Sequence, residues 1–257
     1  MNRTIAAAAF AALGLLGLSA SSAFAQEKLT IATEGAYPPF NFKQADGTLA
    51  GFDVDIAKAL CDNMKVECKI VAQDWDGIIP GLLAHHYDAI VASMSITEER
   101  KKKIAFTDPY YHTAGALAVL KSAPLAGNTP DDLKGKTLGV QSSSTFSTLI
   151  EDKYKDADVR QYGTVDEALL DLVAGRVDAV MADKITLTEW FKKSGNDCCQ
   201  LAGNDIKDSH YLGDGVGIGI RQAEPDLQAK LNKALANIVA DGTYKTINAK
   251  YFPFSIY

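Results

Sequence analysis

Two spacings of apolar residues follow one another along this chain. Leu29-Thr-Ile-Ala opens a short strand. Residues 52–60 then place Phe52, Ile56, Ala59 and Leu60 on one helical face, with charged positions opposite. Residues 78–83 read as a second helix, and Ala89-Ile-Val-Ala as a buried strand. The helical period returns over 226–240 with Leu227, Leu231, Leu235 and Ile238 on one face. Asp241-Gly-Thr-Tyr244 breaks that helix before a last helical stretch up to Phe252-Pro253. Residues 121–132, rich in Ala, Pro, Gly, Asn and Asp, read as a loop. Such strand–helix alternation predicts an α/β fold with largely parallel sheets flanked by helices.

The pattern occurs twice. Leu83-Ala-His-His-Tyr-Asp-Ala-Ile-Val-Ala-Ser93 aligns without gaps on Val173-Ala-Gly-Arg-Val-Asp-Ala-Val-Met-Ala-Asp183, with Ala84/Ala174, Asp88/Asp178, Ala89/Ala179 and Ala92/Ala182 identical. A looser echo pairs Lys28-Leu-Thr-Ile with the stretch from Lys136 to Val140. Both read as helix end, tight turn, buried strand and a polar residue at the strand's carboxyl end. The duplication predicts two similar lobes. Open α/β sheets bind ligands beyond the carboxyl ends of their strands, so facing lobes put Ser93 and Asp183 on opposite walls of one cleft.

Composition narrows the class. Of 257 residues, 47% are hydrophobic and 23% charged, and the net charge is −6 from 26 Lys+Arg against 32 Asp+Glu. That balance lacks the clustered excess of basic residues that nucleic-acid binding needs. The first 25 residues read as a cleaved secretory address. Arg3 precedes an apolar run over 5–18, then come small polar residues and Ala23-Phe24-Ala25, an A-x-A cleavage pattern. The run is shorter than a spanning helix needs, so the mature chain is expected in the periplasm and not embedded in a membrane. In an oxidising compartment Cys61 and Cys68 are expected to pair locally. The competing metal reading has no neighbouring His or Cys ligands. Adjacent Cys198 and Cys199 form a vicinal disulfide or stay reduced, and the sequence leaves both open.

Several stretches carry chemistry. Ser95-Ile-Thr-Glu98 has the spacing of a capping box, which predicts a helix start beside the strand end, with unpaired N–H groups. Arg100 then falls in the first turn, where the helix dipole disfavours a cation, so it is expected to face an anion. Gln141-Ser-Ser-Ser-Thr145 offers hydroxyls and N–H groups at a second strand end, as an anion site or an ordinary cap. Asp183 either pairs an ammonium or caps the following helix. Glu34, with Tyr37 in Gly-Ala-Tyr-Pro-Pro-Phe40 and Trp75 nearby, suits a long cationic side chain: the carboxylate pairs the charge and the rings cover the methylenes. The chain carries no G-x-S-x-G, H-E-x-x-H, P-loop or G-x-G-x-x-G pattern. Gly213-Asp-Gly-Val-Gly-Ile-Gly219 reads as a strand near a hinge, and His85, His86, His112 and His210 as surface residues, with no metal or cofactor implied.

In these residues the chain resembles the periplasmic amino-acid-binding proteins of ABC importers, most of all the lysine/arginine/ornithine and arginine/ornithine branch. The marks are Glu34-Gly-Ala-Tyr-Pro-Pro-Phe-Asn41, Gly51-Phe-Asp-Val-Asp-Ile56, Trp75-Asp-Gly-Ile-Ile-Pro80, Ser93-Met-Ser-Ile-Thr-Glu98, Phe106-Thr-Asp-Pro-Tyr110 and Ala240-Asp-Gly-Thr-Tyr244. The resemblance implies a type II periplasmic-binding-protein fold. Its first lobe would span 26–112 and 210–257, its second 116–206, with hinge segments near 113–115 and 207–209. The implied ligand is a cationic L-amino acid, with an opine or histidine as the alternative, and the implied partner a membrane permease, served by a monomer. The implied ligand set is Glu34, Tyr37, Trp75, Ser93, Met94, Ser95, Arg100, Gln141, Ser144, Thr145 and Asp183. Arg100 would take the α-carboxylate, Asp183 with Ser93 the α-ammonium, and Glu34 the side-chain cation. Cys61 and Cys68 match a disulfide of such proteins. Glu34 replaces an aspartate, and Phe146 stands where some relatives carry a polar contact. Because relatives include periplasmic dehydratases, Lys184 and Glu34 are the acid/base pair an enzyme on this fold would use.

Overall fold

The structure, a computed structural model, describes residues 27–193 and 197–257. The secretory address lies outside the described residues. The chain begins with β1 (Lys28–Thr33), β2 (Ala36–Tyr37), β3 (Asn41–Lys43), β4 (Leu49–Ala50), α1 (Phe52–Met64), β5 (Glu67–Ala72), α2 (Trp75–Leu83) and β6 (Ala89–Ile90). It continues with α3 (Glu98–Lys101), β7 (Ala105–Phe106), β8 (Gly115–Leu120), β9 (Thr137–Gln141), α4 (Thr145–Lys153), β10 (Asp158–Tyr162) and α5 (Val165–Val173). It ends with β11 (Ala179–Asp183), α6 (Lys184–Lys193), β12 (Cys199–Ile206), α7 (Ser209–Leu212), β13 (Gly219–Ile220), α8 (Pro225–Ala240) and α9 (Thr243–Tyr251).

Two five-stranded sheets organise these elements, in the orders β5-β1-β6-β13-β7 and β10-β9-β11-β8-β12, beside a small β2-β3-β4 sheet. Each large sheet has a parallel triplet, β5-β1-β6 or β10-β9-β11, extended by two strands that run antiparallel to their neighbours. The chain passes from the first sheet to the second between β7 and β8 and returns between β12 and β13. This makes the two-segment connection of a two-lobed α/β fold.

The repeat has a structural cause at its identical aspartates. Asp88 accepts a hydrogen bond from the Thr30 N–H at 2.9 Å, and Asp178 accepts one from the Thr137 N–H at 2.7 Å. Each carboxylate ties the turn before one strand to the start of the central strand. Ala89, Ala92, Ala179 and Ala182 are buried, where small side chains let helices approach the sheet. The pairing gives the looser echo its register. Ile31 pairs with Ala89 and Leu138 with Ala179, so Ile31 matches Leu138, and Glu34 takes the place of Gln141.

Three further details differ from expectation. Helix α1 runs on to Met64, so Cys61 sits in its last turn rather than after it, and bonds Cys68 on β5 with Cα atoms 6.0 Å apart. Closing so short a loop stabilises the fold by about 2 kcal/mol in a chain-entropy account. The strand at Ala89 ends at Ile90. The glycine run reaches strand geometry only at Gly219, after Val216 bridges both Ser95 and Tyr111. Cys198 and Cys199 are joined as a vicinal disulfide. Helix α8 buries Leu231, Leu235 and Ile238 on its apolar face, against α1.

Candidate functional site

A cavity of about 900 Å³ lies between the carboxyl ends of the two parallel triplets. Of the eleven residues marked out in the sequence, ten line it: Glu34, Tyr37, Trp75, Ser93, Ser95 and Arg100 from one side, Gln141, Ser144, Thr145 and Asp183 from the other. Met94 does not. Its side chain is fully buried in the core with Ile90, Ile96 and Ile104, so only its position in the chain brings it near.

The walls mirror one another because the lobes repeat. Glu34 and Gln141 follow from the same register, and so do Ser93 and Asp183, while Trp75 and Val165 begin equivalent helices on the cavity. The lobes touch across the cleft. The Gln141 amide donates to Glu34 Oε1 at 2.6 Å, and the Trp75 indole N–H donates to the Ser143 carbonyl at 3.3 Å. The Ser142 hydroxyl lies 2.8 and 2.9 Å from the two oxygens of Asp76.

Burial sets the charges. Glu34 is only 5% exposed, and burial, reinforced by Asp74, Asp53 and Asp76, pushes its carboxyl up to about 7 although the Gln141 hydrogen bond opposes the shift. Asp183 is 3% exposed and burial raises it to about 6, against the pull of Thr113 and two backbone N–H groups. Those N–H groups belong to Ile185 at 2.8 Å and Thr186 at 3.3 Å, so Asp183 caps α6 and lines the cavity at once. Burial, then the charges of Asp183 and Glu34, hold the Tyr37 phenol well above its ordinary range.

Arg100 lines the same cavity beside Trp75 and Ser95. Its guanidinium lies 5.2 Å over the Trp75 ring and donates to the Ser95 carbonyl at 3.1 Å. Burial lowers it to about 10, which still leaves it charged at neutral pH. The capping box is corrected here. Thr97, not Ser95, caps the short α3, accepting from the Arg100 N–H at 3.2 Å, and Ser95 instead bridges to Val216. In the second lobe, Ser144 caps α4, accepting from the Ser147 N–H at 3.1 Å and donating to the Gln141 carbonyl at 2.7 Å. Thr145 therefore opens that helix on the cavity. Phe146 lines the cavity too, packed so closely on Gly115 that an added Cβ there would meet its ring at 2.4 Å. Lys184 also lines the cavity, with its ammonium held by Asp205 at 2.6 Å.

The cavity thus holds one guanidinium and two buried carboxylates around an aromatic wall. That arrangement matches an α-amino acid with a cationic side chain, which carries one carboxylate and two cations. Sequence reasoning missed Asp53, which accepts from the Ser93 hydroxyl behind the wall, and the Ser142–Asp76 contact. Both join residues far apart in the chain, and no local pattern marks such pairs.

The profile of the bacterial extracellular solute-binding proteins, family 3, matches residues 29–254. The chain belongs to this family. Among family members, it is 44% identical over 254 residues to the L-arginine-binding protein of Pseudomonas aeruginosa, covering 96% of this chain and 97% of that one. It is 41% identical to the lysine/arginine/ornithine-binding periplasmic protein of Escherichia coli over 250 residues, 95% of each. Histidine-binding and octopine-binding periplasmic proteins are also similar to it. The structure of an ancestral arginine-binding protein bound to arginine superposes with a TM-score of 0.82 at 37% identity, covering 88% of this chain and 99% of that one. The fold is therefore that of the type II periplasmic binding proteins.

Proposed function

We propose that this protein is the periplasmic solute-binding component of an ABC importer and captures a cationic L-amino acid, arginine, ornithine or lysine, by closing two lobes on it. The observation that carries this reading is the placement of Glu34 and Asp183, both buried and raised in pKa, on opposite walls of one cavity with Arg100. Neither carboxylate has a cationic partner among the described residues, and an incoming ligand with two cations supplies both.

In this reading Arg100 grips the α-carboxylate, helped by N–H groups near Ser95 and Thr145. Asp183 and Ser93 take the α-ammonium, and Glu34, steadied by Gln141, takes the side-chain cation. Tyr37 and Trp75 cover the methylenes, and Ser144 holds the start of α4 against the ligand. The first lobe spans 26–112 and 210–257 and the second 116–206, hinged near 113–115 and 207–209. The residues 1–25 direct export, and the closed monomer is what the membrane permease receives. In this reading the protein is a binder, and the Lys184 ammonium, bonded to Asp205 at 2.6 Å, supports that over an acid/base role.

A thermal-shift panel tests this reading. A ligand at about 100 times its Kd stabilises by about 2.7 kcal/mol, roughly 5–10 °C for a chain of this size. Arginine, ornithine and lysine are expected to raise Tm by that order, and glutamine far less. A panel in which only octopine or histidine shifts Tm replaces the assignment with that ligand. A panel in which no amino acid does so contradicts it.

A further inference from the structure

Four of the six motifs that carry the family resemblance meet at one buried carboxylate, Asp53, which has no exposed surface, and a fifth backs the cluster through Tyr244. It accepts hydrogen bonds from the Asn41 amide at 2.8 Å, the Ser93 hydroxyl at 2.9 Å and the Tyr110 hydroxyl at 2.7 Å. The Tyr244 hydroxyl donates to the Tyr110 carbonyl at 2.7 Å and holds that residue in place. Asn41 in turn accepts from the Gly35 N–H at 2.8 Å, beside Glu34. Among the described residues no Lys, Arg or His pairs with Asp53. A buried carboxylate with neutral donors alone is costly, since burial raises its pKa and its charge goes unpaired.

The cost falls one atom from the ligand cavity, because Ser93 lines it and sits at a φ of 54°, a conformation few non-glycine residues adopt. A hydroxyl has one proton and two acceptor lone pairs. With its proton committed to Asp53, Ser93 can present only lone pairs to the cavity. We propose that Asp53 is a positioning residue for the ligand's α-ammonium: it turns Ser93 into an obligate acceptor and sets a second negative charge behind it, opposite Asp183. This inference rests on the amino-acid reading of the cavity and deepens it. The site would then select for an α-ammonium from both walls, directly through Asp183 and through Ser93 from Asp53. A purely structural Asp53 would hold motifs together without regard to the ligand's amino group.

Calorimetry with L-arginine and its des-amino analogue, 5-guanidinopentanoic acid, separates the two roles, because the analogue lacks only the α-ammonium. Asp53→Asn keeps the size and an acceptor oxygen but removes the charge. It is expected to weaken arginine about 10-fold or more and the analogue less than about 2-fold, so the preference for arginine shrinks. Ser93→Ala, which leaves Asp53 and its other two donors in place, is expected to reduce the same preference and keeps the proposal testable should Asp53→Asn not fold. Parallel losses for both ligands in Asp53→Asn, or an unchanged preference in Ser93→Ala, overturn the role of Asp53 while leaving the proposed function intact. If the wild-type protein binds no α-amino acid, both readings fall.

Discussion

Asp183→Asn is expected to weaken arginine binding by about 2–5 kcal/mol, roughly 30-fold to several thousand-fold, without lowering the melting temperature of the free protein. The two halves of this expectation follow from the two jobs of Asp183. As a cap it accepts from the Ile185 and Thr186 N–H groups through Oδ1, and an asparagine keeps that oxygen and caps as well. As a charge it faces the cavity, where burial has raised it to about 6. A carboxyl raised on folding contributes stability that is fully present below its unfolded pKa and is lost as pH rises through the folded value. At pH 7.5 the free protein therefore carries a buried, uncompensated carboxylate, and asparagine relieves it. Thermal melts and calorimetry on the same sample check both halves. A variant that melts lower but binds arginine normally would show Asp183 to be a cap alone.

Arginine affinity is also expected to fall steeply in acid, by about 100- to 1000-fold between pH 8 and pH 5. In the free cavity Glu34 keeps its proton up to about 7 and Asp183 up to about 6. Each must lose it to pair with a cation, so each group costs up to about 10-fold per pH unit below its value. The sign is fixed by the direction of the shifts: a cationic ligand favours the charged form, lowers both values on binding and releases protons. Binding near pH 6–6.5 should release about one proton or more per ligand, read as a dependence of the binding heat on the buffer's ionisation enthalpy. Glu34→Gln should weaken binding at pH 8 and flatten the upper part of the profile between pH 8 and 6. A wild-type affinity unchanged between pH 8 and 5 contradicts the pairing of buried carboxylates with ligand cations.

Much of this fold was legible because its signals are local. The αβ units announce themselves in the periodicity of 52–60 and in the repeat from Leu83 and Val173. The aspartates of that repeat prove to be the ties that start each central strand. The antiparallel strands β8 and β12 were not legible, and β13 was read only as a strand in the glycine run that ends at Gly219. Their neighbours lie in distant parts of the chain, and β13 is only the dipeptide Gly219–Ile220. Local reading also misplaced one cap. Ser95-x-x-Glu98 has capping-box spacing, but Ser95 is drawn to Val216, and the cap passes to Thr97 two residues on.

The site divides in the same way. Arg100, Glu34 and Asp183 stood out because charged residues at strand ends or against a helix dipole conflict with local preference, and such conflicts mark function. Asp53 gave no such sign. It lies in the first turn of α1, where an acidic residue is ordinary, and its role depends on Asn41, Ser93 and Tyr110, which only the folded chain brings together. Trp75 was read as a ring for the ligand stem, and its second contact, the Arg100 guanidinium, joins two elements that the sequence alone did not connect.

The central claim, that the cavity reads a cationic side chain through Glu34, is tested most directly by calorimetry of the exported chain with L-arginine and L-citrulline. Citrulline has the same α-groups, the same methylenes and nearly the same shape, but an uncharged ureido end. Arginine is expected to bind at least about 100-fold more tightly, since citrulline leaves a buried carboxyl without its cation. Equal affinity for the two, or no affinity for any basic amino acid, would contradict the account.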